Sequence, residues 1–80
     1  MVRLSNIKRE HNILSANYEP EASGEFGFIA VNVRTGDIVE EKHTTLKVDP
    51  IYFAHAKWAL LGDDLKYREH PPETCLVMWY

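Results

Sequence analysis

Apolar and polar positions alternate through the first quarter of the chain, and that rhythm predicts two strands, over residues 2–8 and 13–18. The polar stretch Arg9-Glu10-His11-Asn12 joins them. In the second, Leu14, Ala16 and Tyr18 fall on one face, and Ile13, Ser15 and Asn17 on the other. The first set is the more apolar and is assigned to the core. Residues 19–25 break the rhythm with Pro20, Ser23 and Gly24 and read as a loop. Residues 26–33 are β-branched and aromatic on both alternating faces, which predicts an interior strand. Arg34-Thr35-Gly36-Asp37 then supplies a turn, with Gly36 in the left-handed conformation of a three-residue hairpin loop closed by a Gly bulge. Residues 38–43 return as a more polar strand with more exposure.

The period changes at Asp49-Pro50. Asp49 is expected to accept the free amides of a first helical turn, and Pro50 at the first helical position loses nothing by lacking its own N–H. The helix is expected over 50–61. Gly62 either ends it or is carried to about residue 67 at about 1 kcal/mol relative to alanine. Pro71-Pro72 forbids further helix. Residues 75–79 form an unbroken apolar run, read as a strand buried on both faces, with Leu76, Val77, Met78 and Trp79 in the core. The order β-β-β-β-α-β predicts an α+β, two-layer fold: a mostly antiparallel sheet of about five strands with one helix packed across one face.

That helix carries two apolar stripes. At 100° per residue Phe53, Ala56 and Leu60 form one, flanked by Tyr52 and Ala59, while Ala54, Trp58, Leu61 and Leu65 form another nearly opposite. The seams hold His55 and Lys66 on one side and Lys57 and Asp64 on the other. A helix lying on a sheet needs one apolar stripe, and the count of residues alone slightly favours that of Trp58.

Composition narrows the functional classes. Eighty residues make one domain, spanning 1–80, and 45% hydrophobic with 26% charged residues is ordinary for a folded chain. Nine basic against twelve acidic residues leave a net charge of −3, which disfavours nucleic acid as a partner. A single cysteine excludes an internal disulfide and suits a reducing compartment. No apolar leader segment is visible, and the longest apolar run falls far short of the roughly 20 residues a bilayer span needs. The expectation is a cytoplasmic protein with no membrane contact.

Candidate chemistry is thin. Cys75 with His70 or His55 has the residue types of a thiol nucleophile and its base, but it opens the most apolar strand, where a structural cysteine is expected. His11, His43, His55 and His70 lack the tight spacings of a zinc site, so no metal or other cofactor is expected. Glu19, Glu21 and Glu25 crowd one loop without the ligand pattern or turn that calcium requires, and read as solvated. Gly24 and Gly27 precede a strand, not the helix a phosphate loop would need. Glu40-Glu41 and Asp63-Asp64 are adjacent pairs rather than carboxylates placed across a cleft, and strand neighbours such as Glu40 and Glu41 point to opposite faces.

Leu14-Ser15-Ala16-Asn17-Tyr18-Glu19-Pro20, the Thr35-Gly36-Asp37 turn, His55-Ala56 with Ala59-Leu60, and the closing Val77-Met78-Trp79-Tyr80 together resemble a family of small bacterial proteins of unknown function. The resemblance implies one compact bacterial domain and brings no activity, ligand or site residue with it. It also implies apolar character along Phe53, Ala56 and Leu60, with charged residues at the positions of Trp58 and Leu61. On that ground Phe53, Ala56 and Leu60 are placed against the sheet. Ala54, Trp58, Leu61 and Leu65 become the candidate partner surface, since an exposed Trp beside Leu is a common interface anchor, although scattered surface hydrophobics need no such explanation. The expected function is a protein-interaction or oligomerisation module without catalytic activity, binding a second copy or another protein. The alternative is a small-molecule-binding or catalytic domain with a pocket between helix and sheet near His55, Tyr52 or Cys75.

Overall fold

The computed structural model describes residues 1–78, apart from the side chains of Asp63 and Asp64. Four strands follow one another, β1 (Val2–Glu10), β2 (Ile13–Pro20), β3 (Gly27–Asn32) and β4 (Ile38–Lys42), and then come α1 (Asp49–Leu61), the short α2 (Asp63–Lys66) and β5 (Cys75–Val77). All strand pairs are antiparallel, in the order β4-β3-β2-β1-β5. α1 packs across one face of this sheet, giving the α+β two-layer architecture that the sequence pattern predicts.

The expected faces are the observed ones. Leu14, Ala16 and Tyr18 of β2 are buried with Val2 and Leu4 of β1 and Ile29 and Val31 of β3, beneath Phe53, Ala56 and Leu60 of α1. The opposite face carries Arg3, Ser5, Asn17, Glu19, Glu40 and Lys42, with Phe28 and Ala30 among them in the same registers, and no second layer of described residues covers it. An antiparallel sheet tolerates this because most residues on that face are polar and flank the apolar ones of β3. In β1 the register slips by one residue: Ser5 pairs with Asn17 and Lys8 with Ser15, so Asn6 and Ile7 together face Ala16. Asn6 takes a φ of 50° at this bulge, and Ile7 turns into the core.

Turn chemistry differs in detail from the expectation. β1 and β2 run closer together, Glu10 pairing with Ile13, so that only His11 and Asn12 connect them. Gly36 does adopt a positive φ, 81°, but its loop is wider than three residues. The Gly36 amide donates to the Asn32 carbonyl at 2.7 Å, and the Asn32 side chain accepts the amides of Arg34 and Thr35. β3 is interior, paired on both sides, while every residue of β4 is exposed.

Two expectations need correction. Asp49 does not cap α1: it lies within the helix, after Val48 in the capping position, and its carboxylate turns away into the protein. Of the two endings the sequence leaves open for the helix, the first is observed: it stops at Gly62, whose φ of −74° and ψ of 160° are extended, and a separate turn, α2, follows. β5 is not buried on both faces. It lies at the sheet edge beside β1, with Cys75 and Val77 half-buried toward α1 and Leu76 and Met78 exposed. A continuous apolar run reads as doubly buried only where a layer covers each face, and here one face is open. The expectation for Trp79 lies outside the described residues.

Candidate functional site

Asp49 is the one buried charged residue among those described, 2% exposed, and four groups converge on it. Its Oδ1 accepts hydrogen bonds from the Tyr18 hydroxyl at 2.7 Å, the Thr44 amide at 3.0 Å and the Thr44 hydroxyl at 2.6 Å. Its Oδ2 lies 2.5 Å from Nδ1 of His43. The core face of β2 delivers Tyr18, the β4–α1 connection delivers His43 and Thr44, and the first turn of α1 delivers the carboxylate itself. Phe53, one helical turn further on, packs edge-on to the Tyr18 ring at 5.8 Å and beside the His43 ring at 4.4 Å.

The electrostatics follow from this wiring. Burial pushes the Asp49 carboxyl upward, but the hydrogen bonds from Thr44, Tyr18 and His43 outweigh it and hold the group below its usual range. The hydrogen bond to Asp49 raises the His43 imidazole above its usual value despite some desolvation, with Glu41 adding to the effect from 3.7 Å. Burial first, and then the Asp49 hydrogen bond and charge, push the Tyr18 phenol strongly upward.

A buried carboxylate orienting an imidazole through Nδ1 is half of a general-base arrangement. The other half requires a hydroxyl or thiol on Nε2 and a cavity for substrate. Here Nε2 faces Glu41, the hydroxyls of Tyr18 and Thr44 donate to Asp49 itself, and none of these side chains lines the groove at β5 or the hollow at Arg9. The cluster acts as a latch that fastens the start of α1 and its incoming connection to the sheet. Sequence reasoning placed Asp49 at a helix start but missed its burial, for which the signal was the unmatched phenol of Tyr18 on an otherwise apolar strand face.

The residues expected to form a partner surface separate. Trp58 stands 61% exposed, with His55 edge-on against its indole at 5.2 Å, and Ala54 is half-buried beside it. Leu61 packs partly against the core and Leu65 is buried within it, 4% exposed. Leu65 leaves the stripe because the helix breaks at Gly62, beyond which the 100° rotation no longer applies. Ile51 takes its place: it is 55% exposed and, seven residues before Trp58, lies about 20° from it around the helix. The outer face of α1 is thus the stripe Ile51, Ala54 and Trp58, opposite the buried Phe53, Ala56 and Leu60.

The loop carboxylates keep the solvent access expected of them and also accept hydrogen bonds within the protein. Glu19 accepts the Gly24 amide at 2.9 Å, Glu21 accepts the Tyr52 hydroxyl at 3.0 Å, and Glu25 accepts the Thr45 hydroxyl. His11 and His70 line a shallow hollow of about 470 Å³ with Arg9 and Glu69. Among the described residues no three His, Cys, Asp or Glu side chains come together in a way that would hold a metal ion.

Cys75 is half-buried and lines the larger cavity, an open groove of about 610 Å³ between β5 and the end of α1, with Ala59, Leu65, Pro72 and Val77 as apolar walls and Arg68 beside them. No helix among the described residues is long and apolar enough to cross a membrane. Comparison with protein-family models, with curated proteins and with solved structures finds no match.

Proposed function

We propose that the protein is a small bacterial, cytoplasmic interaction module that carries no catalysis of its own and pairs with a second copy through the outer face of α1. The observation that carries this reading is the exposure of Ile51 and Trp58 on one stripe of a helix whose opposite stripe is already buried. A surface helix ordinarily turns a polar face to water. The stripe is self-complementary: Ile51 and Trp58 are one heptad apart, with small Ala54 between them. In an antiparallel two-fold pair each Trp58 meets the partner's Ile51 while the helix axes approach over Ala54. No charged side chain sits on the stripe, so pairing strands no ion. The proton-active groups His43 and Asp49 are bound to one another, which fits a structural role for them, and the lone thiol suits a reducing compartment.

One short helix buries little area, so the expected dimer is weak, with dissociation in the range of about 10 μM to 1 mM. Sedimentation equilibrium across that range tests it. Trp58→Lys is expected to leave a monomer with unchanged melting, because Trp58 supports no core contact. A native chain that stays monomeric at about 1 mM, or a Trp58→Lys variant that still dimerises, overturns the reading. The groove lined by Cys75 favours a second reading, a ligand-binding domain with its pocket between helix and sheet; it lies away from the outer stripe, so the two readings are separable.

A further inference from the structure

We propose that the groove beside β5 docks an extended peptide ending in a free carboxylate, laid along the outer edge of β5 with an apolar side chain between Leu65 and Val77 and its carboxylate on Arg68. Four observations converge on that occupant. β5 is the outermost strand on its side, so its outward backbone groups have no strand partner among the described residues. Its residues Cys75, Leu76 and Val77 carry no charge and no proline, whereas the opposite edge, β4, is guarded by Glu40, Glu41 and Lys42 and by a register shift. Charges, bulges and shortness are the usual means of keeping an edge from pairing, and of these β5, with three residues, has only shortness. Leu76 and Met78 stand exposed along it and would be covered by an added strand.

The groove itself supplies the specificity. Its volume of about 610 Å³ falls among the sizes of sites that hold a ligand of a few hundred daltons. Its walls are apolar because α1 ends at Gly62 and the chain drops away, leaving Ala59 and Leu65 to face β5. Arg68 is the one charged group among the described lining residues, and a guanidinium pairs best with a planar carboxylate. A sheet edge, an apolar slot and a cation in a row match main-chain pairing, side-chain insertion and terminal-carboxylate capture, the three parts of strand-addition recognition. The inference does not depend on self-association through α1, whose outer stripe is a separate surface.

The test is a titration of isotope-labelled protein, followed by amide resonances, with a six-residue peptide of alternating threonine and valine ending in leucine with a free carboxylate. Saturable shifts are expected in residues 74–78 and 59–68 and not in β4. Amidating the peptide terminus, or introducing Arg68→Gln, is expected to weaken binding by about tenfold, as loss of a charge-assisted pair should. N-methylation of the peptide backbone at alternate positions is expected to abolish it, and because that change is in the ligand, the outcome cannot reflect misfolding. Three results overturn the proposal: no saturable shift at about 1 mM of the free-acid peptide, equal binding of the N-methylated peptide, or octanoate binding as tightly as the peptide.

Discussion

Tyr18 shows how one polar atom can organise an otherwise apolar face. Its ring fills the core of the sheet while its hydroxyl donates to the buried Asp49 carboxylate at 2.7 Å. Removing only that oxygen, in Tyr18→Phe, leaves the packing intact and deprives a charged acceptor of a donor, at an expected cost of about 1.5–3 kcal/mol in denaturant unfolding. The same cluster sets a pH dependence. The raised pKa of His43 means that its contribution is complete below about pH 6.5, the ordinary value, and is lost as pH rises through the raised one. The depressed pKa of Asp49 means that its contribution is complete above about pH 3.8 and is lost as pH falls through the lowered one. Stability from this pair is therefore greatest between those values and declines above the upper one. Denaturation midpoints measured against pH should show the alkaline decline in the native protein and a flatter line in His43→Gln; equal slopes would show that the pair does not control it.

At the scale of elements, the most sensitive joint is where β3 passes under the Tyr18 ring. A Cβ on Gly27 would lie 2.3 Å from the ring and 2.6 Å from the backbone oxygen of Lys42, so neither neighbour has room to yield cheaply. Gly27→Ala is expected to destabilise by about 1–3 kcal/mol, measured by thermal or urea unfolding, with a matching loss of β3–β4 protection. Nothing in the local pattern announced this, since Gly27 sits in an apolar run and its constraint comes from the strand beside it. By contrast, the alternation in Leu14, Ala16 and Tyr18 and the positive φ at Gly36 were legible, because strand period and turn stereochemistry are local. What was not legible depended on which layers exist. The run at residues 75–78 reads the same whether one face or two are covered, and Leu65 reads as part of the outer stripe until the break at Gly62 re-aims it. The Asp49 latch was half legible: the helix start is a local signal, while the inward turn of the carboxylate needs Tyr18, thirty-one residues earlier, to be in place.

Over the whole molecule, the sheet divides into two kinds of pairing. β1 to β4 are joined in succession by short connections, so each ladder forms between neighbours in the chain. β5 instead reaches β1 across more than sixty residues and, among the described residues, contributes three ladder positions, Cys75, Leu76 and Val77 against Leu4, Arg3 and Val2. Closing so long a loop for so few bonds makes β5 the strand that costs least to release. Amide hydrogen exchange should therefore divide the protein: amides of β2 and β3 exchanging only through global unfolding, and those of β5 exchanging orders of magnitude faster through a partial opening that leaves the other four strands assembled. Such an opening would bare the inner edge of β1, in which Val2 and Leu4 alternate with polar residues, for as long as β5 is away. The last strand is then a removable cover, and the lifetime of that cover, more than the overall stability, would set how readily the chain exchanges strands with its neighbours in concentrated solution.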